Sequence, residues 1–131
     1  MKQFLLTGSA LLMLLSFTVS SGINDIVIAL KNGNASEIAR YFDNTVEITL
    51  PGKSNSYSKS QGELILSDFF SNNSVKSFSI LHQGENAGSQ YCIGTLVTKT
   101  ASFRTTIYMK QKGDKQTLQE IRFETDRKSV V

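Results

Sequence analysis

Apolar residues recur with helical spacing in the first half of the chain and alternate with polar ones in the second. Ile23, Ile26, Val27 and Leu30 fall at i, i+3, i+4 and i+7, the stripe of a short amphipathic helix. Lys31-Asn32-Gly33 stops that helix, with Gly33 placed for a left-handed cap. Asn34 opens a second helix with Glu37 in capping-box position, and Ile38, Ala39 and Phe42 supply its inner face. Asp43-Asn44 ends it and leads into Val46 to Leu50, an alternating strand. Pro51-Gly52 is a turn signal, and Asn55 to Tyr57 reads as a short returning strand. A third helix starts near Ser58 to Ser60, where Ser58 with Gln61 and Ser60 with Glu63 compete as capping boxes. Leu64, Ile65, Leu66, Phe69 and Phe70 crowd its length and predict a mostly buried helix, ended by Asn72-Asn73.

The second half reads as strands. Val75 to His82 places Phe78, Ile80 and His82 on one face, and Gly84 to Gly88 forms a hairpin loop. Gln90 to Thr98 and Ser102 to Lys112 are long β-rich runs joined by a turn around Lys99 to Ala101. A tight turn at Lys112 to Lys115 leads into Thr117 to Thr125. In that last run Leu118, Glu120, Arg122 and Glu124 alternate against Gln119, Ile121, Phe123 and Thr125. Three helices followed by four consecutive antiparallel strands make an α+β domain. No repeat, low-complexity tract or linker divides residues 22–131, which read as a single domain.

The opening residues belong to neither pattern. Lys2 precedes an uncharged, Leu-rich stretch, and the small polar run Thr18-Val19-Ser20-Ser21-Gly22 follows it. This order of basic, apolar and small-residue zones predicts a secretion signal over residues 1–21, removed after Ser20 or Ser21. The wholly apolar part is shorter than the roughly 20 residues a spanning helix needs, so no stable membrane anchor is expected after cleavage. The expected location is outside the cytoplasm, periplasmic or extracellular, in soluble form. The short, unadorned signal reads as bacterial, which leaves the sequons at Asn34 and Asn72 little weight.

Lys2 is the one basic residue in that opening run, so the remainder carries a charge of about +2. Those charges are spread along the chain rather than gathered in a stripe, which disfavours nucleic acid as a partner. Cys92 is the single cysteine, so no intramolecular disulfide can form and the core must stabilise the fold alone. Its apolar surroundings, Tyr91 and Ile93, predict a buried structural thiol.

The stretch from Ala29 to Ile48 has a Gly33-Asn34 helix start and a Tyr41-Phe42 helix end leading into the first strand. It resembles the opening of the nuclear-transport-factor-2-like superfamily, the SnoaL-like or cystatin-like α+β cones. The order of elements resembles that superfamily over nearly all of residues 22–131. More narrowly, the chain is similar to a group of short exported bacterial proteins known as domain of unknown function 4783. The resemblance implies a strongly curved, mostly antiparallel sheet wrapped around three helices, with a cavity at its open end. The superfamily includes isomerases, dehydratases, binding modules and dimerisation domains, so fold alone selects no function.

Catalytic chemistry is thinly represented. His82, the single histidine, could act as a general base if its face points inward, and Asp68 could be a buried carboxylate on the third helix. The plainer readings are a half-exposed strand-end histidine and a solvated carboxylate. One His and one Cys at no familiar ligand spacing do not build a metal site, and phosphate loops, nucleophile elbows and Cys-x-x-Cys pairs are missing. No cofactor and no enzyme activity are expected.

Three functions compete, taken in order of expectation, and an isomerase- or dehydratase-like enzyme is the third. The first is a module holding a small apolar or amphipathic ligand, with Phe42, Tyr57, Phe69, Phe70, Phe78, Tyr91 and Phe103 as candidate lining. The second is protein–protein interaction, including homodimer formation, through the outer sheet face. Arg104, Tyr108 and Arg122 are its candidate residues, because Tyr and Arg are enriched at interfaces.

Overall fold

The computed structural model describes residues 22–126, so the predicted leader over 1–21 lies outside the described residues. Three helices and six strands follow one another as α1 (Gly22–Asn32), α2 (Ala35–Ala39), β1 (Phe42–Leu50), β2 (Lys53–Ser58), α3 (Lys59–Asn72), β3 (Val75–Asn86), β4 (Ser89–Thr98), β5 (Ser102–Lys112) and β6 (Lys115–Thr125). The six strands form one open sheet in the order β2-β1-β6-β5-β4-β3. All neighbours are antiparallel except β1 and β6, which run parallel. The N-terminal hairpin is thus attached to the last strand of a four-strand meander.

Helix ends follow the capping residues. Gly33, at φ 61, lets its own N–H reach the Leu30 carbonyl (3.1 Å) while the Asn34 N–H reaches Ala29 (2.9 Å). This pair of bonds is a Schellman motif, and it satisfies carbonyls that the end of α1 would otherwise leave unpaired. The Asn34 side chain then accepts from the Glu37 N–H and starts α2. Of the two competing boxes on α3, Ser58 is the cap, with its Oγ 3.3 Å from the Gln61 N–H. The second helix is shorter than its pattern predicted. It stops at Ala39, and Phe42, Asp43 and Asn44 belong to β1, because the Tyr41 carbonyl is captured by the Leu118 N–H of β6.

The helices lie on one face of the sheet, with α1 against β3 and β4 and α3 against β1 and β2. The core between them runs from Ile26, Leu30 and Ile38 through Leu66, Phe69 and Phe70 to Ile107, Ile121 and Phe123. Gly62 permits the approach of α3 to β1, since a Cβ there would stand 2.9 Å from both Phe42 Cε2 and Val46 Cγ1. The expectation of a mostly buried α3 needs correcting. Leu64 is 70% exposed and Ile65 only half-buried, because a single helix layer leaves the far side of α3 in water.

Two β-bulges correct the face assignments. In β3, Ile80 pairs with Gly94 but His82 pairs with Ile93, so Leu81 is an extra residue. It moves His82 to the face opposite Phe78 and Ile80. In β6, Tyr108 pairs with Glu120 and Met109 with Leu118, so Gln119 is extra and Leu118 turns into the core. A one-residue insertion reverses every later position of a period-two pattern. The supposed loop at Gly84 to Gly88 is also mostly strand. Asn86 pairs with Ser89, leaving Ala87 and Gly88 as a two-residue turn with positive φ at both positions.

Candidate functional site

The aromatic residues expected to line a cavity instead fill the space they were to surround. Phe42, Phe69, Phe70, Phe78 and Phe103 are all buried members of one core cluster. The Phe69 ring stacks on Phe123 at 4.5 Å and meets Phe103 edge-on at 5.2 Å, while Phe70 meets Phe123 at 6.1 Å. Tyr57 on β2 is half-buried at the margin of that cluster. Tyr91 is the exception: by the alternation of β4 it shares a face with Ile93, Thr95 and Val97, opposite the buried Cys92, Gly94 and Leu96.

That outer face is a second organised surface, and the residues on it line up in rows across the strands. One row runs Gly84, Tyr91, Tyr108, Glu120, Glu47, and the next runs His82, Ile93, Thr106, Arg122, Thr49. A third pairs Thr95 with Arg104 and Arg104 with Glu124. The Tyr91 ring lies over Gly84, where a Cβ would fall 2.7 Å from Tyr91 Cε1, and its hydroxyl is 2.7 Å from His82 Nε2. Tyr108 is 37% exposed and its hydroxyl bonds Ser89 Oγ at 3.0 Å. Arg122 donates to Glu124 at 2.9 Å and stands 3.9 Å from Glu120. Tyr91, Ile93, Val97 and Tyr108 therefore form a half-exposed aromatic and aliphatic centre, with Arg104, Lys110, Arg122, Glu120 and Glu124 around it. No helix packs on this face among the described residues.

The weak catalytic candidates are not brought together. His82 is exposed on the outer sheet face, whereas Asp68 is exposed on α3, which packs against the inner one. Among the described residues no group of three or more His, Cys, Asp or Glu is placed to hold a metal ion, and no helix is long and apolar enough to cross a membrane. Cys92 is buried, and desolvation raises its thiol pKa.

Sequence reasoning missed two polar constellations. Tyr41 donates to the Asp25 carboxylate, tying the end of α2 back to α1; that bond, with burial, pushes the phenol up to about 12. Asp43 accepts from Lys112 Nζ (2.8 Å), Gln119 Nε2 (3.0 Å) and the Asn44 N–H (2.8 Å), which hold its carboxyl down at about 2. Neither has a linear motif, since Asp43 meets Lys112 of β5 and Gln119 of β6 only once β1 has joined the sheet. At the end of the sheet beside the start of α1 lies a pocket of about 260 Å³ bordered by Ile23, Asn24, Gln83, Glu85, Gln90 and Tyr91. Its walls are mostly polar.

The family model described as Domain of unknown function (DUF4783) matches residues 23–124. A DUF4783 family protein from Bacteroides uniformis is 30% identical with a TM-score of 0.76, over 79% of this chain and 95% of that one. A DUF4783 family protein from Bacteroides fragilis is 31% identical with a TM-score of 0.73, over 78% and 96%. At 6% identity, an NTF2-like protein of unknown function from Cytophaga hutchinsonii still gives a TM-score of 0.60, over 87% and 96%, a likeness of fold alone. No curated protein matches the chain.

Proposed function

The chain belongs to the DUF4783 family, a domain of unknown function with an NTF2-like fold, and from that premise we propose that it acts outside the cytoplasm as a non-catalytic assembly domain, binding a second copy of itself through the outer sheet face. The observation that carries this reading is the uncovered ladder of Tyr91, Ile93, Val97 and Tyr108 in the middle of a six-stranded sheet. An aromatic and aliphatic centre ringed by charge has the anatomy of an interface, with Tyr and Arg as its usual anchors. The rim also suits self-association. Basic Arg104 and Lys110 on β5 lie beside acidic Glu120 and Glu124 on β6, so a two-fold axis can set each strip against its opposite.

The alternatives draw less support. A ligand inside the sheet would have to displace rings already packed on one another. An isomerase-like site on His82 or on Asp68 would need that residue enclosed with its substrate, and both are exposed, His82 on the outer sheet face and Asp68 on α3. Sedimentation of the protein from the exported fraction tests the assembly reading. The expected species is a dimer that Tyr108→Glu converts to a folded monomer. A wild-type chain that remains monomeric at about 100 µM, far above the Kd of a functional homodimer, would rule it out.

A further inference from the structure

The outer sheet face is charged in strips, and the strips do not balance within one copy. Glu120 and Glu124 on β6 and Glu47 on β1 are acidic, and Glu47 is the register partner of Glu120, so two like charges stand side by side. Arg122 answers Glu124 at 2.9 Å and stands 3.9 Å from Glu120. Arg104 is the register partner of Glu124 on β5, yet it is exposed and enters no ion pair among the described residues. Glu47 is likewise exposed and unpaired. A free guanidinium and a strained pair of carboxylates thus share one face.

Self-association matches them in one orientation. Packed sheet faces keep their strands within about 30° of alignment, which leaves a two-fold axis running either along the strands or across them. An axis across the strands lays each strand on its own copy, so the carboxylates of β6 meet carboxylates and the cations of β5 meet cations. An axis along the strands exchanges columns instead. The order β2-β1-β6-β5-β4-β3 has its centre between β6 and β5, and an axis there lays all six strands over the other copy. Strand β6 then covers β5, and β1 covers β4. The row Tyr91, Tyr108, Glu120, Glu47 becomes its own complement, each phenol meeting a carboxylate, and a neighbouring row sets Arg104 against Glu124. We propose that two copies of this chain meet about that axis, with Arg104 of each bound to Glu124 of the other, and that this charge pair fixes the orientation of the dimer. Charges at the margin of an interface set register and partner choice more than affinity.

This arrangement rests on self-association through the outer face and names the contact that orients it. Wild type, Arg104→Glu, Glu124→Arg and the double variant are purified from the exported fraction and checked for an unchanged far-UV circular dichroism spectrum. They are then compared by sedimentation and native mass spectrometry. Each single swap sets like charges together twice per dimer, and its Kd is expected to rise about tenfold. An equimolar mixture of the two single variants restores both pairs and is expected to form a heterodimer with the wild-type Kd. The double variant is expected to form a homodimer of the same strength. Arg104 is exposed, so its swap tests the contact even where a change at Glu124, which also holds Arg122, unfolds the chain. A dimeric wild type whose Arg104→Glu variant keeps the same Kd, or a mixture that forms no heterodimer, overturns this orientation and leaves self-association standing. A wild type that stays monomeric at about 100 µM overturns both.

Discussion

Gly62→Ala sets two effects of opposite sign against each other, and the packing of α3 on β1 decides which prevails. In an exposed helix interior the change stabilises by up to about 1 kcal/mol, because alanine loses less backbone freedom on folding. Gly62, however, is buried, and the new methyl would stand 2.9 Å from Phe42 Cε2, 2.9 Å from Val46 Cγ1 and 3.4 Å from Ile48 Cδ1. None of the three can swing aside into water. Phe42 is 4% exposed, Val46 and Ile48 1% each, and two of them are β-branched with stiff χ1 angles. Relief must come from moving α3 off the sheet, and overpacking of this kind costs about 1–3 kcal/mol. The net expectation is a loss of about 1–2 kcal/mol, equivalent to a fall in melting midpoint of roughly 5–10 °C for a domain of this size. Urea denaturation followed by far-UV circular dichroism measures it directly, and Gly62→Ser should lose at least as much. A Gly62→Ala protein as stable as wild type, or more so, would show that α3 adjusts freely and that the close approach is no constraint.

Asp43→Asn should cost about 1 kcal/mol at neutral pH, a value discounted for the 55% exposure of Lys112. Because folding lowers the Asp43 pKa from 3.8 to about 2, its contribution is present above pH 4 and lost as pH falls through 2. Wild type and variant should therefore converge in urea titrations taken between those limits, and a gap that stays constant would refute the charge-based account. Phe123→Ala removes a fully buried ring stacked on Phe69 and should destabilise by about 3–5 kcal/mol in the same assay. Cys92 is fully buried and its pKa raised, so iodoacetamide should modify it in urea and leave the native protein unmodified; rapid native alkylation would contradict the packing of β4.

Much of the fold was legible because helix caps and alternation are local. Gly33, Asn34 and Ser58 mark helix ends through bonds within a few residues, and β5 alternates without interruption from Phe103 to Met109. The misreadings share one physical origin. Leu81 and Gln119 are insertions relative to a neighbouring strand, and a strand's own sequence does not record its partner's register. The burial of α3 was overstated because five apolar residues do not say how many sides of a helix will be covered. The candidate sites were less legible still. The outer-face position of Arg104 and Tyr108 followed from alternation, but that of His82 depended on a bulge. The pocket beside α1 joins that helix to two strands far away in sequence, β3 and β4, and glutamine carries no motif.

The parallel pairing of β1 with β6 also governs when this protein can fold. The β1–β2 hairpin is made early in synthesis, yet its docking edge is the last strand of the chain. Until β6 is present, Val46 and Ile48 have no sheet to join, and α3 has no complete surface to pack on. Contacts of such long sequence separation form slowly, because a large loop must close before they repay its entropy. A chain emerging from synthesis thus stays loosely structured until its final strand is available, and then folds as a unit.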